Sequence, residues 1–217
     1  MITFPLSLDA FFAGLPIASC SFRLPESLQV DETGGGEVLV ASLGVRLWEG
    51  EVTLTADYHS ALSGAEALIS VVRDAGASFL AFPPQQPFPA ADPQGLILGT
   101  SVPVISAQPS ARSLVLSNLP AGYVLTAGDF LSFSYGPAPE RTALHQVVIG
   151  GAANSSGVSP EILVTPAIRP GASLGAAVSL VRPVARMRYV PGSYRASAFG
   201  KMIGQGPSFG FRQTLRG

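Results

Sequence analysis

A serine nucleophile is the first chemistry to test, because Gly171-Ala172-Ser173-Leu174-Gly175 matches the G-x-S-x-G elbow. In that arrangement the serine stands on a tight strand-to-helix turn, with an acid and then a histidine following it in the chain. Here no Asp, Glu or His follows Ser173, and Pro170 and a β-type context flank it, so a plain loop is expected. The two histidines, His59 and His145, lie 86 positions apart and belong to no H-x-x-x-H or Cys/His cluster, so a zinc site has no ligand set. His145 falls inside a strand pattern, where a hydrogen-bonded or interface histidine is expected; His59 reads as a loop residue just before a helix. Glu49 and Glu51 share one strand face at i, i+2. Glycosidase carboxylates face each other across a cleft from different elements, so this pair reads as a solvated or intersubunit acidic face. Gly34-Gly35-Gly36 lacks the Lys-Ser/Thr of a phosphate loop and reads as a hinge. Asn154-Ser155-Ser156 is a glycosylation sequon, which matters only in a secreted chain. The sequence thus offers no catalytic residue, cofactor site or metal site, and no enzyme is expected.

The elements around these residues are short and mostly extended. In Glu51–Ala56 the alternation puts Val52, Leu54 and Ala56 on one face, and Phe130–Tyr135 does the same with Leu131, Phe133 and Tyr135. Ala18–Leu24, Glu37–Leu47, Ser78–Phe82, Ser113–Ser117, Leu144–Ile149, Glu161–Thr165, Ala177–Val181 and Arg186–Val190 are further strands. With 24 Gly and 19 Pro between them, the pattern predicts a sandwich or barrel. One helix is predicted, from Leu62, Ala65, Leu68, Ile69 and Val72, opened by a Ser63–Glu66 capping box and stopped by Gly76. Pro83–Gly95, with five prolines, reads as a stiff loop or boundary, and Pro191–Pro207 as an extended, mobile basic arm.

Hydrophobic residues make up 47% of the 217 and charged residues only 12%, about half the usual charged share. Every apolar run is broken well short of the ~18 residues a membrane helix needs, and Met1–Ala10 has no basic n-region, so neither a span nor a signal peptide is expected. Such apolarity points to surface buried against other subunits. Cys20 is the lone cysteine and reads as a small buried hydrophobe. Charge is polarised: residues 1–108 hold 3 basic and 11 acidic residues, residues 109–217 hold 10 and 3. The halves either pair within one fold or face each other in head-to-tail contacts, where complementarity sets register. Glu49, Glu51, Arg182, Arg186 and Arg188 are the candidate intersubunit contacts. Arginines and aromatics interleave near the C-terminus, but a pI near 6.1 argues against a dedicated nucleic-acid site.

Two blocks carry a resemblance. The first is Leu47-Trp48-Glu49-Gly50-Glu51-Val52-Thr53-Leu54, the helix, Ser78–Pro84 and Ala91-Asp92-Pro93. The second runs from Leu119 to Phe133 through Ala127-Gly128-Asp129, then His145–Val148 and Val164–Pro170. Together, over most of residues 45–190, they resemble distal tail proteins of long-tailed phages and phage-derived gene transfer agents. The resemblance implies a mainly β fold with one α-helix: a tail-tube-like sandwich or barrel core (1–95 plus 171–217) with a small inserted β-barrel (96–170). It implies a virion protein made in the host cytoplasm, a homohexameric ring at the tail tip that joins the tail tube protein to the baseplate hub protein. The alternative is a carbohydrate-binding β-module for host adhesion. Trp48 is the one tryptophan and sits where a strand meets a turn, so packing is its expected role.

Overall fold

The computed structural model describes residues 2–137, 141–200 and 202–216. The first part of the chain forms β1 (Ile17–Arg23), β2 (Leu28–Glu32), β3 (Val38–Ser42), β4 (Glu49–Leu54), β5 (Asp57–Tyr58), α1 (His59–Val72) and β6 (Phe79–Ala81). A middle run follows: β7 (Val104–Ser110), β8 (Ser113–Ser117), β9 (Val124–Leu125), β10 (Phe130–Tyr135), β11 (Arg141–Ile149), β12 (Gly151–Ala152), β13 (Ile162–Thr165) and β14 (Val178–Ser179). The chain ends in β15 (Ala185–Tyr189), β16 (Ala198–Phe199), β17 (Ile203–Gln205) and β18 (Ser208–Gln213). The fold is mainly β with one α-helix, as the alternating patterns predict.

Two sheets, each with its own core, organise the molecule. The first is antiparallel in the order β1-β4-β18-β15-β6. Its inner face carries Phe22, Val52, Leu54, Phe79, Met187, Phe209 and Phe211, closed over by Phe11, Phe12 and the α1 residues Ala65, Ile69 and Val72. Phe11 meets Phe79 edge-on at 4.8 Å between ring centroids, and burial of such rings contributes roughly 1.5–3 kcal/mol each. The second sheet runs β14-β10-β11-β13-β8-β7. It curls until its edges meet: Ile105 N donates to Ala176 O (3.1 Å) and Val178 N to Pro103 O (2.8 Å). Its core takes in Leu98 through Leu180. That core therefore runs past the 96–170 segment expected from the sequence, because β14 returns to pair with β10.

Trp48 joins the two sheets. Its indole contacts Phe22 in the first sheet and Phe130 in the second, at 5.6 and 5.5 Å between centroids, and its Nε1–H donates to Leu144 O at 2.8 Å. The Pro83–Gly95 segment is fastened beside the same junction by one buried carboxylate, Asp129, and turned by another, Asp92. Asp129 accepts hydrogen bonds from Gln86 Nε2, Ala90 N, Thr126 N and Thr126 Oγ1 at 2.6–3.1 Å. Asp92 accepts from Ile97 N and Leu98 N at 3.1 and 2.9 Å.

Two local expectations fail for tertiary reasons. Helix α1 begins at His59, four residues before the expected cap, and Tyr58 precedes it without a side-chain cap. Pairing of β5 with β17 sets that start. Glu66, expected to cap the helix, instead accepts from Tyr194 Oη (3.0 Å) and Ser197 N (2.9 Å). Those bonds hold down the segment expected to be a mobile arm, which folds as the β16–β17 hairpin against β5.

Candidate functional site

The outer face of the first sheet holds a transverse row of charge. Strand register aligns Arg23 of β1 with Glu49 of β4, Glu49 with Arg212 of β18, and Arg212 with Arg188 of β15. Glu49 takes both neighbours as ion pairs, Arg23 at 3.0 Å and Arg212 at 2.8 Å. The carboxylate is largely covered (16% exposed), while its arginines stay open at 73% and 59%. Glu49, expected to contact a neighbouring subunit, is thus engaged within the chain. Glu51 is exposed on the same face. A groove of about 400 Å³ runs alongside, with Ser21, Ser193 and Gly210 between Arg23, Arg195 and Arg212.

Of the three expected arginines, only two share this face. Arg186 and Arg188 project from β15 at i, i+2. Arg186 Nε donates to Ser78 Oγ at 3.0 Å, and partial burial, with the Arg188 charge added, holds its pKa below the usual arginine range. Arg188 Nε is buried and finds no hydrogen-bond partner among the described residues. Arg182 stands apart in a turn with φ +44°, its N–H donating to Pro87 O at 2.7 Å and its guanidinium 5.9 Å from the Phe82 ring.

A second feature has no counterpart in the sequence reading, where Glu37–Leu47 is a single strand and Gly34–Gly36 a hinge. Strands β2 and β3 form a hairpin that extends the β1–β4 ribbon, and every one of their residues is exposed. Thr33 closes it: its N–H donates to Glu37 O, and Glu37 N donates back to Thr33 Oγ1. Gly36, at φ +79°, makes the left-handed turn. Register places Leu28, Val30, Val40 and Val38 on one face. With Leu39, Leu43 and Val45, these apolar side chains are 42–66% exposed. Asp31, Glu32 and Glu37 crowd the tip, Glu26 lies at the base, and residues 24–45 contain no Lys or Arg. Arg46, just beyond, donates to Leu24 O and Pro25 O and so ties the base together. A short Gly-containing loop between two alternating runs is the signal that identifies such a hairpin; its full exposure is visible only in three dimensions.

The remaining chemical residues have structural surroundings. Ser173 lies in an exposed turn between β13 and β14 with no helix after it. His145 is buried on β11, stacked on Phe133 at 5.3 Å, with Nδ1 2.8 Å from Pro166 O. Because that oxygen can only accept, Nδ1 carries the proton, and Nε2 is left buried without a partner among the described residues. Burial, with the Arg169 charge added, pushes its pKa down to about 4. His59 opens α1, exposed, and its ring lies 4.7 Å from that of Phe199. Asn154 Oδ1 accepts from Ser156 N and Val158 N, which makes the sequon a self-contained turn. Cys20 is half-buried on β1, and burial pushes its thiol up to about 11. Among the described residues no three His, Cys, Asp or Glu gather as metal ligands, and no helix is long and apolar enough to cross a membrane. No family model matches the chain, and no curated protein is similar to it.

Proposed function

We propose that this chain is a structural ring subunit of a phage tail tip, a homohexamer that joins the tail tube protein to the baseplate hub protein. Made in the host cytoplasm, it acts in the virion. The observation that carries the reading is the β2–β3 hairpin. A two-stranded ribbon has no core of its own, and a solvated patch of this many Leu and Val side chains is characteristic of an association surface. A neighbouring subunit would cover that face; in an isolated chain it stays wet. The two-block resemblance to distal tail proteins supplies the biological setting. The split between an acidic first half and a basic second half suits repeated contacts between identical copies.

Light scattering of the purified chain, with negative-stain images of the same peak, tests this. The expected result is a particle of roughly 134 kDa, six times the 22.4 kDa chain, with a central hole. A chain that stays at monomer mass at high concentration and low salt, with no rings in the images, overturns it.

A further inference from the structure

Resting on the reading of the chain as a homo-oligomer, we infer that the acidic β2–β3 hairpin of one copy docks on the arginine face of the first sheet of a second copy. The two surfaces are complementary in charge and both are on this chain. Residues 24–45 carry four acids and no base, and no hydrogen bond or ion pair joins Asp31, Glu32 or Glu37 to a basic side chain among the described residues. On the outer face, Arg23, Arg186, Arg188 and Arg212 of the sheet, with Arg195 beside them in the groove, are offset among the described residues by Glu49 and Glu51.

Within its own copy the acidic tip lies at the far end of the ribbon from this face. The hairpin leaves the sheet at the Arg23–Glu49 end and continues outward along the ribbon, exposed on every residue of both strands. The receiving groove suits a ribbon tip. Its floor is small at Ser21, Ser193 and Gly210, so backbone can approach closely. The arginines beside it offer forked donors to carboxylates and aliphatic stems to the Val30, Val38 and Val40 face. Arg188, on the same face, has no ion-pair partner among the described residues, so its charge is left for such a contact. Glu49 stays with Arg23 and Arg212 and orients them.

Charge exchange tests this directly. One variant reverses the tip (D31K/E32K/E37K) and another the face (R188E/R195E); Arg212 is spared because it holds Glu49. Both are first checked for a wild-type circular dichroism spectrum and melting transition. Each alone is expected to associate at least about tenfold more weakly than wild type at low salt, and an equimolar mixture to regain assembly because every tip then meets an opposite charge. Wild-type association is also expected to weaken as salt rises. If wild type forms rings and the folded reversed variants form them equally well, or the mixture gains nothing over its components, the hairpin contact is wrong while the ring reading stands. If wild type never associates, both fail.

Discussion

Acidification from pH 7 to 5 is expected to weaken this fold through one side chain, His145. The ring lies 2% exposed between Phe133 and the Pro166 carbonyl, with Nε2 unpartnered among the described residues. Protonation would place a charge there with nothing to receive its second N–H, near Arg169. Burial and that neighbour lower the pKa from 6.5 to about 4. The unfolded chain therefore takes up a proton near pH 6.5 that the folded chain refuses until about pH 4. Stability rises with pH across that window and is lost as pH falls through it. At about 1.4 kcal/mol per pH unit, the loss is about 2 kcal/mol between pH 7 and 5 and about 3 kcal/mol once both states are protonated. Urea unfolding of wild type and His145→Gln at pH 7, 6 and 5 measures it. Gln removes the titration, so its stability stays nearly flat where wild type declines, even if its baseline is lower. Parallel curves for the two proteins would refute the reasoning.

Asp129→Ala removes an acceptor of four hydrogen bonds at a fully buried site. It is expected to cost roughly 3 kcal/mol by urea unfolding, with Asn recovering part; a loss below 1 kcal/mol would contradict the fastening role. Glu66→Ala releases the Tyr194 hydroxyl and the Ser197 N–H. Faster hydrogen exchange at Ser197 and Ile203–Gln205, with the Phe79 and Phe209 amides unchanged, is the expected signature; unaltered protection of the hairpin would show that β5 pairing alone holds it.

What could be read from the sequence was what repeats locally. Phe130–Tyr135 and Ser113–Ser117 emerge with their expected bounds, since Leu131, Phe133 and Tyr135, and Leu114 and Leu116, fall on every second position and enter one core; that β10 is buried on its other face too, through Phe130 and Ser132, was not legible. The helix face Leu62, Ala65, Ile69 and Val72 follows from its period in the same way. What failed depended on partners far along the chain. Glu66 sits three residues after a serine and is a capping residue on local grounds; residues 128 and 131 positions away claim it instead. Pro191–Pro207 has the composition of a loose arm, and only β5 and Glu66 make it a hairpin. Asp129 lies inside the quoted A-G-D block, yet its role needs Gln86 and Ala90 brought across from the Pro-rich loop.

The charge polarity of the chain divides in the same way. Sheet order makes β4 a neighbour of β18, so Glu49 from the acidic half and Arg212 from the basic half, 163 residues apart, meet inside one fold. Intrachain pairing therefore accounts for Glu49, at a gain of at most about 1 kcal/mol, because its arginines remain largely in water. It does not account for Asp31, Glu32 and Glu37, which the ribbon carries away from every basic strand. Stability within one copy would be better served by a short polar turn between β1 and β4. An extended ribbon with an apolar face and an acidic tip adds no residue to either core, and the proposed contact with a second copy would give that form its benefit.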